Sequence, residues 1–258
     1  MHKKVKNAGE ALAGIFDGAT LMIGGFGLCG LPEKMLEEIQ NISAKNLTIV
    51  SNNAGTDNYG IGLLIKKGRV KKMIMSYGGE CKAFEEAALK GAIEVEWTPQ
   101  GTLAERIRSA GAGIGGFYTP TGYGTVVAEG KETRCIDGKN YVFEKPLFAD
   151  FALIKAWKGD TLGNLVYRKT ARNFNQAMAT AAKMVIAEVE TLYSPGELEP
   201  DEIHTPGIYI NKIFQGENYA KPIEKLTVIP NSSLRQSVSR SPGPRESLDS
   251  GLRRNDGE

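Results

Sequence analysis

The chain has 258 residues, 41% of them apolar and 24% charged, with 31 glycines and 11 prolines. That composition suits a globular protein able to bury a sizeable core, and it excludes disordered, collagenous and coiled-coil classes. A formal net charge of +2, from 32 Lys and Arg against 30 Asp and Glu, gives no single-sign field, so neither nucleic acid nor a membrane surface is an expected partner.

In chain order, residues 7–16 carry apolar positions at helical spacing, and Asp17-Gly18 turns the chain. Thr20 to Ile23 is a short β run ending in glycines, and Pro32 stands where the next helix, Glu33 to Gln40, begins. Leu47 to Val50 predicts a second strand, closed by Ser51-Asn52-Asn53-Ala54-Gly55. Val70 to Ser76 predicts a third, closed by Tyr77-Gly78-Gly79-Glu80 and followed by a helix from Lys82 to Lys90. Ile93 to Trp97 predicts a fourth, closed by Thr98-Pro99-Gln100-Gly101, with a helix running to Ser109. Strand, polar or glycine-rich turn and helix recur four times, which is the pattern of βαβ units. The expected fold is α/β, a mainly parallel sheet flanked by helices.

Residues 111–128 form a loop rich in glycine, and residues 131–148 read as a small antiparallel insert. Phe151 to Trp157 and Met184 to Glu190 are further apolar strands, with a helix from Asn175 to Ala182 between them. From Asn231 the chain is dominated by Ser, Arg, Gly and Pro and has no aromatic residue, so 231–258 reads as a disordered tail behind a domain spanning 1–230.

Cys29, Cys81 and Cys135 are widely spaced and form no metal or disulfide pattern. The only histidines are His2, at a terminus, and His204, so a His-based metal cluster or a Ser/His/Asp triad is not expected. No apolar run approaches the ~20 residues of a membrane span. The opening MHKKVKNAGEAL lacks the apolar stretch of a signal peptide, and the expected location is the cytoplasm.

In a parallel sheet, ligands bind beyond the carboxyl ends of the strands, so the turns above are the places to look for chemistry. Gly24-Gly25-Phe26-Gly27-Leu28-Cys29-Gly30 carries a strand into a helix, and its backbone N–H groups, with the helix N-terminus, can face an anion. Gly25, Gly27 and Gly30 also spell a dinucleotide fingerprint. The strand that follows ends in Ser51-Asn52-Asn53, without the acid that would hold ribose hydroxyls. Ligand contact is therefore read ahead of a purely conformational role, and dinucleotide binding is read as weak. Gln100, at a strand end before a helix, has an amide that can donate to a developing oxyanion, while a solvent-facing turn glutamine is the alternative. Glu33 and Glu80 read as helix-dipole residues, Cys29 as a packing residue and His204 as structural. Asp160, Asn164, Arg168, Arg172, Asn173 and Asn175 either grip an anion or brace loops, and the residue types leave both open.

Together these blocks resemble the A-type half of family I coenzyme A transferases over about residues 3–228. The carrying pieces are Asp17-Gly18, Ile23-Gly24-Gly25-Phe26-Gly27, Gly30-Leu31-Pro32, Ser51 to Gly55, Thr98 to Arg106, Phe117 to Thr125 and Ala171 to Asn175. The resemblance implies a ping-pong transfer of CoA from succinyl-CoA to a 3-oxo acid, acetoacetate first, through a glutamyl-CoA intermediate. 3-Oxoadipate, acetate or butyrate as acceptor stays open, as does a non-catalytic ligand-sensing module. The family's nucleophilic glutamate lies in a Ser-Glu-Asn-Gly motif of the B subunit, which this chain lacks. The resemblance thus implies a heteromer, A2B2 in form, made with a B subunit. It assigns Gln100 as the oxyanion amide, and Gly24, Gly25, Phe26, Gly27, Leu28, Cys29 and Gly30 as the coenzyme A segment. The thioester would be a substrate, with no permanently bound cofactor and no metal.

Overall fold

The computed structural model describes residues 3–224. One compact unit runs to Pro222, and Ile223–Glu258 forms a second unit of which only the first two residues are described. The tail expected at 231–258 lies outside the described residues.

The elements in chain order are α1 (Ala8–Leu12), β1 (Thr20–Ile23), α2 (Glu33–Glu38), β2 (Leu47–Val50), α3 (Gly62–Lys66), β3 (Val70–Met75), α4 (Lys82–Leu89), β4 (Glu94–Trp97), α5 (Gln100–Gly111), β5 (Phe117–Thr119), β6 (Thr133–Ile136), β7 (Lys139–Glu144), β8 (Ala149–Asp160), β9 (Leu165–Val166), α6 (Asn175–Met178), β10 (Ala182–Tyr193) and β11 (Lys212–Gln215). The main sheet runs β11-β10-β8-β1-β2-β3-β4 with every neighbouring pair parallel, and β9 adds antiparallel to β8. A separate antiparallel sheet has the order β5-β7-β6.

Helices cover both faces of the main sheet, so its strands are apolar on alternate and opposite sides. Leu21, Ile23, Ile49, Met73, Met75 and Leu153 point into a core with Met35, Leu36 and Phe84 of α2 and α4. Met22, Val50, Ile74, Ala152 and Ile154 point the other way, onto Leu103 and Ile107 of α5 and Met178 of α6. β4 closes one edge and is half exposed; its Glu94 and Glu96 pair with Lys72 at 2.8 and 3.1 Å, which puts charge on an edge that could otherwise recruit another strand.

Local signals explain the helix starts. Asn7, the N-cap of α1, accepts through Oδ1 from the Glu10 N–H, and Glu10 Oε2 reaches back past the cap to accept from the Lys6 N–H. The expected helix at 175–182 stops at Met178, because Thr180 Oγ1 and the Thr180 N–H both turn back to the Ala177 carbonyl. The insert expected at 131–148 starts earlier: Phe117–Thr119, out of the glycine-rich loop, supplies its third strand. The expected strand at 151–157 extends over 149–160, where it runs alongside β10 for almost its whole length.

Candidate functional site

The carboxyl ends of β1, β2, β3 and β4 line up along one edge of the sheet, and the four turns singled out in the sequence follow them in order. They are joined to one another. Ser51 Oγ donates to the Ile23 carbonyl at 3.0 Å, the Ser76 and Tyr77 N–H groups both donate to the Asn52 carbonyl at 3.1 Å, and the Thr98 N–H donates to the Met75 carbonyl at 2.9 Å. Asn52 Oδ1 and Ser76 Oγ are buried in this ridge without a partner among the described residues, so it keeps unmet hydrogen-bonding capacity.

The turn after β1 is a small closed loop. Phe26 and Cys29 exchange backbone hydrogen bonds, each 3.0 Å, so the loop doubles back on itself. Gly25 (φ +119°) and Gly30 (φ +73°) hold left-handed backbone that only glycine adopts without strain. Gly24, Gly25 and Gly30 are buried feet, whereas Phe26, Gly27, Leu28 and Cys29 reach the surface, with Phe26 47% exposed.

The helix behind that loop is not open to a ligand, which corrects one expectation. Glu188, fully buried on β10, accepts from the Lys34 N–H (3.2 Å) and the Met35 N–H (2.9 Å), and so caps the start of α2 from the sheet. Burial pushes its carboxyl up to about 7, against the pull of those two N–H groups and of Lys155. Any anion contact from this turn must come from the loop backbone, not the helix end.

Glu33 differs too from the helix-dipole role expected of it. It is 4% exposed and accepts from the Ala220 and Lys221 N–H groups at 2.7 and 3.0 Å, tying the chain that leaves β11 to the start of α2. Beside it Lys155, 3% exposed, lies 3.3 Å from Glu190 and 4.3 Å from the centre of the Tyr219 ring, and Glu190 also meets Lys221 at 2.5 Å. Burial, and then the neighbouring Glu188 carboxylate, hold the Tyr219 phenol well above its usual range. Local spacing does not predict this buried ionic cluster. Its signal is the charged residues set inside the apolar strands FALIKAW and VIAEVE.

Gln100 is the first residue of α5 and its side chain is exposed. It stands three strand ends from the glycine loop, about 14 Å away at ~4.8 Å per strand. The two predicted elements therefore share an edge without touching. Between them lie Ser51–Gly55 and Tyr77–Glu80. Glu80 is exposed, at φ +71°, and precedes α4 instead of joining its first turn. That turn is served by Asp57, whose Oδ1 accepts from the Ala83 N–H at 2.9 Å.

The polar cluster at 160–175 divides into two braces. Asp160 accepts from the Leu162 and Asn164 N–H groups and from Asn164 Nδ2, while Asn164 Oδ1 accepts from the Gly207 N–H. Asn173 Nδ2 donates to the Cys29 carbonyl and Asn175 Nδ2 to the Gly30 carbonyl, both at 3.0 Å. Arg168 lies over the Trp157 ring and Arg172 is exposed. His204 Nδ1 accepts from the Tyr167 N–H at 2.9 Å, and burial lowers its pKa, so it is structural as expected.

Comparison with known proteins decides the family. The coenzyme A transferase family profile matches residues 5–216. The chain belongs to the coenzyme A transferase family. It is 54% identical over 227 residues to the A-type subunit of succinyl-CoA:3-ketoacid coenzyme A transferase from Helicobacter pylori, covering 88% of this chain and 98% of that one. The corresponding subunit of a probable enzyme of the same name from Bacillus subtilis is 54% identical over 228 residues, covering 88% and 96%. Among solved structures, an acyl-CoA transferase from Escherichia coli O157:H7 shares the fold with a TM-score of 0.76 at 23% identity; the match covers 83% of this chain and 47% of that longer one. Glutaconate coenzyme A-transferase from Acidaminococcus fermentans gives a TM-score of 0.72 at 20% identity, over 83% and 75%. As a CoA transferase the chain works on CoA thioesters.

Proposed function

We propose that this chain is the A-type half of a heteromeric CoA transferase that moves CoA from succinyl-CoA to a 3-oxo acid, with acetoacetate as the first acceptor. Its partner is a B subunit, in an A2B2 assembly, that carries the nucleophilic glutamate. The partner's carboxylate attacks the thioester carbonyl. A tetrahedral oxyanion forms and expels CoA thiolate, leaving an acyl-glutamyl anhydride. The thiolate then attacks the glutamyl carbonyl, releasing succinate and leaving a glutamyl-CoA thioester. The acceptor carboxylate reverses the sequence, so that acyl-CoA departs and the glutamate is regenerated.

Two parts of this chain serve the reaction. Gln100, exposed at the end of β4, donates its amide N–H to the oxyanion, which gains charge in the transition state and not before. Gly24, Gly25, Phe26, Gly27, Leu28, Cys29 and Gly30 form the segment that meets CoA, Phe26 to Cys29 by contact and the buried glycines by shaping the loop. The observation that carries the reading is that both open on one sheet edge of a chain whose relatives bear the transferase name. The thioester is a substrate and not a resident cofactor.

Among the described residues no helix is long and apolar enough to cross a membrane. A cytoplasmic enzyme fits the substrates proposed. The test is co-expression with the B-type partner and an assay of acetoacetyl-CoA formation. Activity that requires both chains and collapses in Gln100→Ala supports the reading; transfer to another short acid keeps the mechanism and changes the acceptor.

A further inference from the structure

The register of β1 against β8 shows how the glycine loop is held. Ile23 stands opposite Leu153, and the Gly24 N–H donates to the Leu153 carbonyl at 3.0 Å. In a continued parallel ladder the next rung would run from the Lys155 N–H to the Gly24 carbonyl. Instead the Lys155 N–H donates to Asn175 Oδ1 at 2.9 Å. The side-chain amide has taken the place of the next peptide of β1.

That amide fits against bare backbone: a Cβ on Gly24 would lie 1.9 Å from Asn175 Oδ1. Its other end reaches the far foot of the loop, where Nδ2 donates to the Gly30 carbonyl and to the Ala171 carbonyl, both at 3.0 Å. Asn173 lies beside it at 3.2 Å and adds its own bond to the Cys29 carbonyl. Asn175 is completely buried, so these bonds are made without competition from water.

We propose that Asn175 is a positioning residue for acyl-CoA binding: its amide ends β1 at Gly24 and fixes Gly24 against Gly30, so that Phe26–Cys29 is presented in one conformation. A loop of glycines has little to order it from within, and fixing its feet beforehand removes an entropic cost from ligand binding. This inference rests on the reading of Gly24–Gly30 as the CoA segment.

The experiment is calorimetric titration of CoA into the assembled two-subunit complex, with Tm and steady-state kinetics measured alongside. Asn175→Asp keeps the acceptor for Lys155 but loses the donors to Gly30, Ala171 and Asn173. Asn173→Ala leaves those to Gly30 and Ala171 in place and removes the bond to Cys29 together with those to Thr170, the Phe174 N–H and Asn175 Nδ2. The expected result is CoA binding weakened roughly 10-fold or more in Asn175→Asp and less in Asn173→Ala, with KM for the acyl-CoA rising more than kcat falls. A purely structural role would lower Tm and leave affinity alone, so CoA affinity within about two-fold of wild type in the folded variants overturns the proposal. If Asn175→Asp gives no folded complex, Asn173→Ala decides: weakened binding supports the proposal and unchanged binding overturns it. A wild-type complex that binds no CoA removes the underlying reading, whereas wild-type binding matched by the variants removes this inference alone.

Discussion

Replacing Glu188 by Gln should change how stability depends on pH. In the native chain the Glu188 carboxyl titrates near 7, against 4.5 when unperturbed, because burial disfavours its charge. Between those values the folded state keeps a proton that the unfolded state has released. Stability therefore falls as pH rises through the window, and the loss is complete above about 7. At about 1.36 kcal/mol per unit, the penalty reaches roughly 3 kcal/mol. Gln cannot titrate, and its Nε2 cannot accept, so one of the Lys34 and Met35 N–H groups loses its acceptor at every pH, a constant cost of roughly 1–3 kcal/mol. The wild type should thus exceed Glu188→Gln most clearly at pH 5 and lose much of that margin by pH 8. For a domain of this size the gap in Tm should narrow by about 5–10 °C across that range. Thermal denaturation of both proteins at stepped pH measures it directly. Parallel Tm curves across the whole range would refute the assignment of a shifted carboxyl to Glu188.

Three further outcomes are expected. Gln100→Ala should lower kcat of the assembled enzyme by roughly 10²–10³ while leaving Tm nearly unchanged, since the side chain is exposed; a drop of less than about five-fold would remove the amide from the oxyanion site. Glu33→Ala should strip two backbone donors of their acceptor, so amide exchange at Ala220 and Lys221 should become fast while that at β1 stays slow. Unchanged protection at 220–221 would show that another contact holds this segment. Gly24→Ala should displace the Asn175 amide and cost roughly 3–5 kcal/mol through the loss of buried hydrogen bonds, read as a fall in denaturation midpoint; a near-wild-type midpoint would contradict the tight fit at 1.9 Å.

The first half of the sheet was legible because each strand carries its own local signals. Thr20–Ile23 and Leu47–Val50 are mainly apolar runs, while Val70–Met75 and Glu94–Trp97 mix charges with β-branched, Met and aromatic residues; all four are followed at once by turn residues, and they fold where the pattern places them. α3 escaped because five residues (GLLIK) are too short for helical periodicity, and β11 (KIFQ) because it is defined by its ladder to β10 and by the Lys3 carbonyl that receives the Ile213 N–H. The turns that frame the candidate site were legible for the same reason as the strands.

The division of labour within those turns was not legible. Whether Asn173 and Asn175 grip a ligand or a loop depends on residues some 140 positions away, the carbonyls of Cys29 and Gly30. Likewise Glu33 reads as a first-turn glutamate until the chain at Ala220 returns to it, and the start of α2 reads as an open anion site until Glu188 of β10 occupies it. Buried carboxylates find partners through tertiary contact, which local spacing does not encode.

The central claim is that this chain supplies one half of a CoA-transfer site and needs its B-type partner for the other half. The most direct measurement is a spectrophotometric assay of acetoacetyl-CoA formation from succinyl-CoA and acetoacetate, run with the chain alone, with the partner alone and with the two combined. Activity is predicted only in the combined sample, at a level that Gln100→Ala reduces by roughly 10²–10³. Activity in the chain alone, or no CoA transfer to any short acid from a properly assembled complex, would contradict it.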